Sequence, residues 1–175
     1  DVTGYAADAK LRASGDRIVN GEIIVTGAVE NGRKSGDTIG IVATGFDQNG
    51  RPVETKGISG YVSRGAVRNF SVSFEAAGIA YVEVEATGFA DEVELLSEAS
   101  RLKDGKLEVT AVVENGNNSG TTAGVVVTGY AKDGKAVDTK GASGYVSAGA
   151  VRNFSVVLDP GSEVDYIEVD VTDRD

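Results

Sequence analysis

The segment "KLEVTAVVEN" at 106–115 places Leu107, Val109, Ala111 and Val113 on one side and Glu108, Thr110 and Glu114 on the other. A two-residue apolar period is what a strand with one buried face requires, because successive side chains leave the pleated backbone on opposite sides. The same alternation groups Phe154, Val156 and Leu158 in "RNFSVVL", and sets Ile167, Val169 and Val171 against Tyr166, Glu168 and Asp170 in "VDYIEVDVT". Earlier in the chain it groups Ile23, Val25 and Val29, then Phe70, Val72 and Phe74, then Val82 and Val84. No segment sustains the 3.6-residue period of a helix. The nearest is "DEVELLSEASRL" at 91–102, where Val93 and Leu95 alternate before Leu96 breaks the pattern. With the Asp-Gly turn that follows, it reads as an edge strand rather than a short helix.

Turn chemistry separates these runs. "IVNGE" at 18–22, "DQNGR" at 47–51, "LKDGK" at 102–106 and "KDGK" at 132–135 each carry Asn-Gly or Asp-Gly, the pair preferred by type I′ hairpins. Strands this short and turns this frequent predict an all-β chain with about seven strands per unit, folded as antiparallel sandwiches of immunoglobulin or fibronectin III type.

The unit is visible as a repeat. "GYVSRGAVRNFSV" at 60–72 and "GYVSAGAVRNFSV" at 144–156 differ at one position, and between 29–74 and 113–158 the chain matches itself at 29 of 46 positions without a gap. A shift of 84 residues therefore divides it into repeat 1 at 1–88 and repeat 2 at 89–175. The opening "DVTGYAAD" matches "EATGFADE" at 85–92, and the closing "DVTD" at 170–173 matches both. That reads as an excerpt of about two modules from a longer array; the alternative is a two-module protein whose ends match by chance. The short join "ATGFADEVE" at 86–94 predicts modules set end to end, not folded back. Within the repeated phrase, Gly65 and Gly149 suit a turn, and Phe70 and Phe154 suit the sandwich centre.

The phrases "GAVENG…IGIVATGFDQNGRPVET…VSRGAVRNFSV" and "AVVENG…AGVVVTGYAKDGKAVDT…VSAGAVRNFSV" resemble FxLYD-type domains of prokaryotic secreted and surface proteins. The resemblance covers most of each unit through short, sandwich-generic motifs. It implies immunoglobulin-like adhesion modules and transfers no catalytic residue. One departure stands out: Gly45 and Gly129 occupy the place of the family's first aromatic. Phe46 and Tyr130 then fall on the outward face with Val42, Thr44, Val126 and Thr128, as a contact stripe or as a surface buried by a strand slip or a neighbouring loop.

Composition narrows the chemistry. Seventeen basic and twenty-seven acidic residues leave a net charge of −10, which disfavours binding to nucleic acid or to an anionic membrane surface. No apolar run reaches the roughly 18 residues of a membrane-spanning helix. Cysteine and histidine are both absent, so disulfides, thiol nucleophiles and the commonest general base and transition-metal ligand are excluded. Carboxylates such as Glu83, Glu85, Glu168 and Asp170 sit at outward strand positions, where a solvated sheet face accounts for them better than an acid–base pair. No catalytic, cofactor or metal site is therefore assigned.

Weaker candidates remain. Asp47-Gln48-Asn49-Gly50 resembles part of a calcium loop, but its second copy, Ala131-Lys132-Asp133-Gly134, favours a hairpin turn. Calcium at the module junction would use Asp91, Glu92 or Asp173. Asn69, Asn117 and Asn153 lie in Asn-x-Ser triplets and could accept a glycan. Lys56 and Lys140, matched in both copies as are Asn69 and Asn153, are the candidates for an intramolecular Lys–Asn cross-link, which needs a buried Lys beside a carboxyl. Phe46, Tyr130, Tyr61, Tyr145, Tyr81 and Tyr166 form the candidate interaction surface. The expectation is a non-catalytic structural or adhesive segment of an extracellular, cell-surface protein, with neighbouring repeats and a surface glycan or protein as partners. The alternative is a carbohydrate- or peptide-binding accessory module.

Overall fold

The structure, a computed structural model, describes residues 9–174, so the opening "DVTGYAAD" lies outside the described residues. The chain is all-β. Among the described residues, twelve strands run in order: β1 (Ala9–Val19), β2 (Glu22–Asn31), β3 (Asp37–Phe46), β4 (Pro52–Val62), β5 (Val67–Glu75), β6 (Tyr81–Thr87), β7 (Val93–Lys103), β8 (Lys106–Asn115), β9 (Thr121–Tyr130), β10 (Ala136–Val146), β11 (Val151–Leu158) and β12 (Tyr166–Arg174). A single 3-10 turn, Gly161–Glu163, is the only helical element among the described residues. It falls where one inserted residue breaks the repeat register.

The strands form four three-stranded antiparallel sheets, ordered β1-β2-β5, β4-β3-β6, β11-β8-β7 and β10-β9-β12. Each half of the chain contains six strands among the described residues, not about seven. The strands are longer than the turn spacing implied; β4, for example, runs unbroken for eleven residues. Strand β7, which contains the "VELLSEASRL" segment, is an edge strand as expected.

Side-chain parity follows the sequence. Val109, Ala111 and Val113 of β8 meet Val125 and Val127 of β9 and Phe154, Val156 and Leu158 of β11 in one buried cluster. In the first half, Val29, Ile39, Ile41 and Phe70 form a second, and Ile23, Val25, Ala43 and Phe74 a third. Among the described residues, no cluster draws buried residues from both halves of the chain.

Two of the four predicted type I′ turns are present. Asn20 and Gly21 between β1 and β2, and Asp104 and Gly105 between β7 and β8, all have positive φ. The other two are longer loops. Asp47 N–H donates to the Arg51 carbonyl, and only Gly50 in that loop has positive φ. Ala131 and Lys135 close the matching loop around Gly134 in the same way.

The halves do not lie end to end. Edge strand β4 lies against β7, β8 and β11, across the outer face of the β11-β8-β7 sheet. The layers therefore stack as β1-β2-β5, β4-β3-β6, β11-β8-β7 and β10-β9-β12. This corrects the extended arrangement predicted from the short join: the join is long enough to turn the second half back beside the first.

Candidate functional site

The repeated phrase is held by a buried amide. Asn31, at the end of β2, is fully buried. Its Nδ2 donates to the Ser35 and Val62 carbonyls, and its Oδ1 accepts from the Arg33 N–H. Its own backbone bonds the Ala66 carbonyl and the Gly65 N–H. Asn115 repeats every contact with Ser119, Val146, Asn117, Ala150 and Gly149. One amide thus joins the loop after its own strand to the "VSxGA" turn. Arg68 and Arg152 follow it, each donating from Nη1 to the carbonyl of Tyr61 or Tyr145 and lying over the ring of Phe70 or Phe154. Lys56 and Lys140 reach across the same open edge to the Ser73 and Val157 carbonyls.

The six predicted aromatics fall into two kinds. Phe46 stacks on Tyr81 with ring centroids 5.0 Å apart, and Tyr130 stacks on Tyr166 at the same separation. The parity argument for Phe46 holds. Gly45 points inward, where an added Cβ would sit 2.6 Å from Ile79, so the aromatic has moved to the outer face. A hydrogen bond to Glu168, then burial, raises the Tyr130 hydroxyl above its ordinary value of 10.0. Tyr61 and Tyr145 stand singly, 64% and 62% exposed, with their hydroxyls lying over Gly36 and Gly120. The structure does not bring the six together into one surface.

The densest polar assembly is one the sequence did not announce, at the junction of the halves. Strand β4 is the edge of its sheet, and its outward peptide groups need partners. The amide of Asn153 supplies two: its Oδ1 accepts from Gly57 N–H at 2.7 Å and its Nδ2 donates to the Gly57 carbonyl at 3.0 Å. Thr55 N–H donates to Thr110 Oγ1 at 3.0 Å, the Thr55 and Ser97 hydroxyls bond each other at 2.5 Å, and Val151 N–H donates to Ser59 Oγ at 3.0 Å. Val112, an outward residue of β8, is fully buried against this edge. Gly57 is required there: an added Cβ would lie 2.6 Å from Val112 and 3.1 Å from Val151. At the rim, Arg101 pairs with Glu54 at 3.5 Å and Glu75 at 3.1 Å, and Lys103 with Glu75 at 3.4 Å.

Beside the junction an open cleft of about 830 Å³ is lined by Asp47, Pro52, Glu98, Arg101 and Tyr166, among others. Burial pushes the Glu98 carboxyl above its ordinary 4.5. The Arg101 guanidinium is already engaged by two carboxylates, so the cleft offers an anionic ligand little.

Glu114 is 1% exposed and leaves Oε2 without a hydrogen-bond partner among the described residues. Burial raises its carboxyl above 4.5, against the opposing pull of the N–H groups of Gly88, Ala90 and Phe89 in the join. The folded chain therefore holds this proton more tightly than the unfolded chain. Its contribution to stability falls as pH rises from about 4.5 through the folded-state value. Urea unfolding of wild type and Glu114→Gln between about pH 4 and pH 8 should show the variant gaining relative stability as pH rises. Parallel pH curves would contradict the assignment.

Asn153 commits its amide nitrogen to Gly57, so a glycan there would break the junction; Asn69 is exposed, and Asn117 is half-buried with its N–H on Asn115. Lys56 and Lys140 are partly exposed and bound to backbone carbonyls, and they also pair with Glu54 and Asp138. That does not supply the buried lysine a cross-link requires. The Asp47 carboxylate accepts the N–H groups of Arg51 and, less strongly, Asn49, which holds it below 3.8 and makes it a turn-former, in line with the hairpin reading. Asp91, Glu92 and Asp173 belong to no metal-holding group among the described residues.

No protein-family model and no curated protein matches the chain. Among solved structures, it is similar to red sea bream transglutaminase at 13% identity and a TM-score of 0.33, over 95% of this chain and 29% of that one. It is also similar to the C-terminal globular domain of an oligosaccharyltransferase from Pyrococcus abyssi at 8% identity and a TM-score of 0.34, over 96% of this chain and 48% of that one. The chain thus spans less than half the length of either.

Proposed function

We propose that the chain is a non-catalytic structural or adhesive repeat segment of a secreted or cell-surface protein, such as a stalk, surface-layer or adhesin part. Its units are two immunoglobulin-like sandwiches at 1–88 and 89–175, resembling FxLYD-type domains. The observation that carries this reading is where the repeated residues act. Asn31 and Asn115, Arg68 and Arg152, and Lys56 and Lys140 all bind backbone carbonyls of their own half. What the repeat preserves is a self-bracing module, and the two modules brace each other through a satisfied strand edge.

A second reading, carbohydrate or peptide binding, draws support from the stacked pairs Phe46–Tyr81 and Tyr130–Tyr166, of which Tyr81 and Tyr166 are exposed. Antibodies against the chain should label intact, unpermeabilised cells of the source organism. Labelling only after permeabilisation would overturn the surface assignment. On a glycan array, reproducible hits weakened by Tyr166→Ala would favour the binding reading; a blank array favours the structural one.

A further inference from the structure

The junction joins two surfaces of different kinds, and the repeat supplies each of them twice. Strand β4 offers the edge "T-K-G-I-S" at 55–59, and the outer face of β7-β8-β11 receives it. Eighty-four residues on, β10 carries Thr139, Gly141 and Ser143 in place of Thr55, Gly57 and Ser59. Eighty-four residues back, the outer face of β1-β2-β5 carries Thr26, Val67 and Asn69 in place of Thr110, Val151 and Asn153. Both of these second copies lie open. Thr55 and Gly57 are buried while Thr139 and Gly141 are exposed; Val112 is buried while its counterpart Ala28 is half-buried. They occupy the two outermost layers of the stack, so among the described residues neither half of the chain stands in front of them.

We infer that these two surfaces bind each other between molecules: the β10 edge of one chain docks on the β1-β2-β5 face of a second copy, with the geometry of the internal junction. The inference deepens the structural reading above and rests on it. Of the five junction hydrogen bonds, four keep both partner residue types: Asn69 with each of the two Gly141 peptide groups, Thr139 N–H with Thr26, and Val67 N–H with Ser143. The fifth is lost because Ala13 replaces Ser97. Thr26 already donates to the Gly15 carbonyl, which leaves its oxygen able to accept. Thr139 N–H now rests on its neighbour Asp138 and exchanges that partner on docking. Charge repeats as well: Arg17 stands where Arg101 does, facing Asp138 and Asp159 in place of Glu54 and Glu75. The charge of Lys103 is not repeated, its counterpart being Val19. Ala28 is smaller than Val112, so the Gly141 edge meets no added bulk.

Because edge and face differ, the contact is head-to-tail and leaves one of each free after every addition, so it grows rather than closing at a dimer. Sedimentation velocity of the full chain over a concentration series should show a weight-average coefficient that climbs without a plateau at two. Asn69→Ala removes the acceptor amide and Gly141→Val fills the donor edge; each exposed-site variant should keep the wild-type circular dichroism melt and lose association at least about tenfold. Mixed together, the two variants still own one good surface each and should form 1:1 dimers that grow no further. A chain that stays monomeric to millimolar concentration, variants that associate like wild type, or a mixture that stays monomeric would overturn the inference. Cell-surface labelling would survive such a failure, so the two ideas fail separately.

Discussion

Replacing Asn115 with alanine should remove about 3–5 kcal/mol of unfolding free energy, the combined cost of leaving its three backbone partners without the amide. The size of the effect comes from burial. Asn115 is fully buried, and the Val146 carbonyl lies at the end of a strand whose last side chain is buried as well. Water can reach the Ser119 loop more readily, which places the loss below a full penalty for every bond. Asn31→Ala should act alike in the first half, through Ser35, Val62 and Arg33. Asn115→Asp is the sharper control: it keeps the acceptor for Asn117 N–H but turns the donor edge into a charged oxygen facing two carbonyls. It should be at least as damaging as alanine. Urea unfolding at neutral pH reads all three. A loss under about 1 kcal/mol for Asn115→Ala would mean that the turn holds without its amide.

The second large effect is at the junction. Gly57→Val places branched carbon where an added Cβ alone would stand 2.6 Å from Val112 and 3.1 Å from Val151. Neither β4 nor β8 can yield without losing its sheet partners, so the halves must part. The expected cost is about 1–3 kcal/mol, with loss of the Asn153 and Thr110 bonds to the β4 edge. The matched substitution Gly141→Val is the control. Its added Cβ meets only the Val125 carbonyl at 3.2 Å and Val126 at 3.6 Å, and it should leave the halves together. Gly57→Val should raise the radius of gyration in small-angle scattering while each half keeps its β-sheet circular dichroism. Equal radii for the two variants would contradict the junction described here.

These two sites show what the letters of the chain reveal and what they hide. Strand parity was legible because one face of each strand is buried: Leu107 through Val113 alternate inward as read, and Phe46 lies outward because Gly45 makes room for Ile79. The Asn-Gly and Asp-Gly turns at 20–21 and 104–105 were legible for the same local reason, positive φ at both positions. The side-by-side stacking was not. Thr55, Gly57 and Ser59 read as a polar outward face, and the same letters recur at 139, 141 and 143, where they do face solvent. Identical residues in two environments carry no local signal. One trace existed: "AVVEN" breaks alternation at Val112, which the first repeat replaces with Ala28, and it is Val112 that the junction buries. The stapling role of Asn31 and Asn115 was hidden differently. Their partners lie 31 residues away in the repeated phrase, a pairing set by how β2 and β4 meet rather than by spacing along the chain.

For the structural role proposed above, the stacked arrangement changes how the segment would work. Modules set end to end would lengthen a stalk by a strand length each. Modules stacked sheet on sheet, at about 10 Å per layer, build sideways and protect one another's edges.

Small-angle scattering of the native chain, extrapolated to zero concentration, tests the stacked arrangement most directly. A stack of this size should give a radius of gyration of about 16 Å and a distance distribution with one peak. A radius of about 20 Å or more, with a second shoulder near one module length, would mean that the halves stand end to end and that the junction through Gly57 and Asn153 does not form in solution.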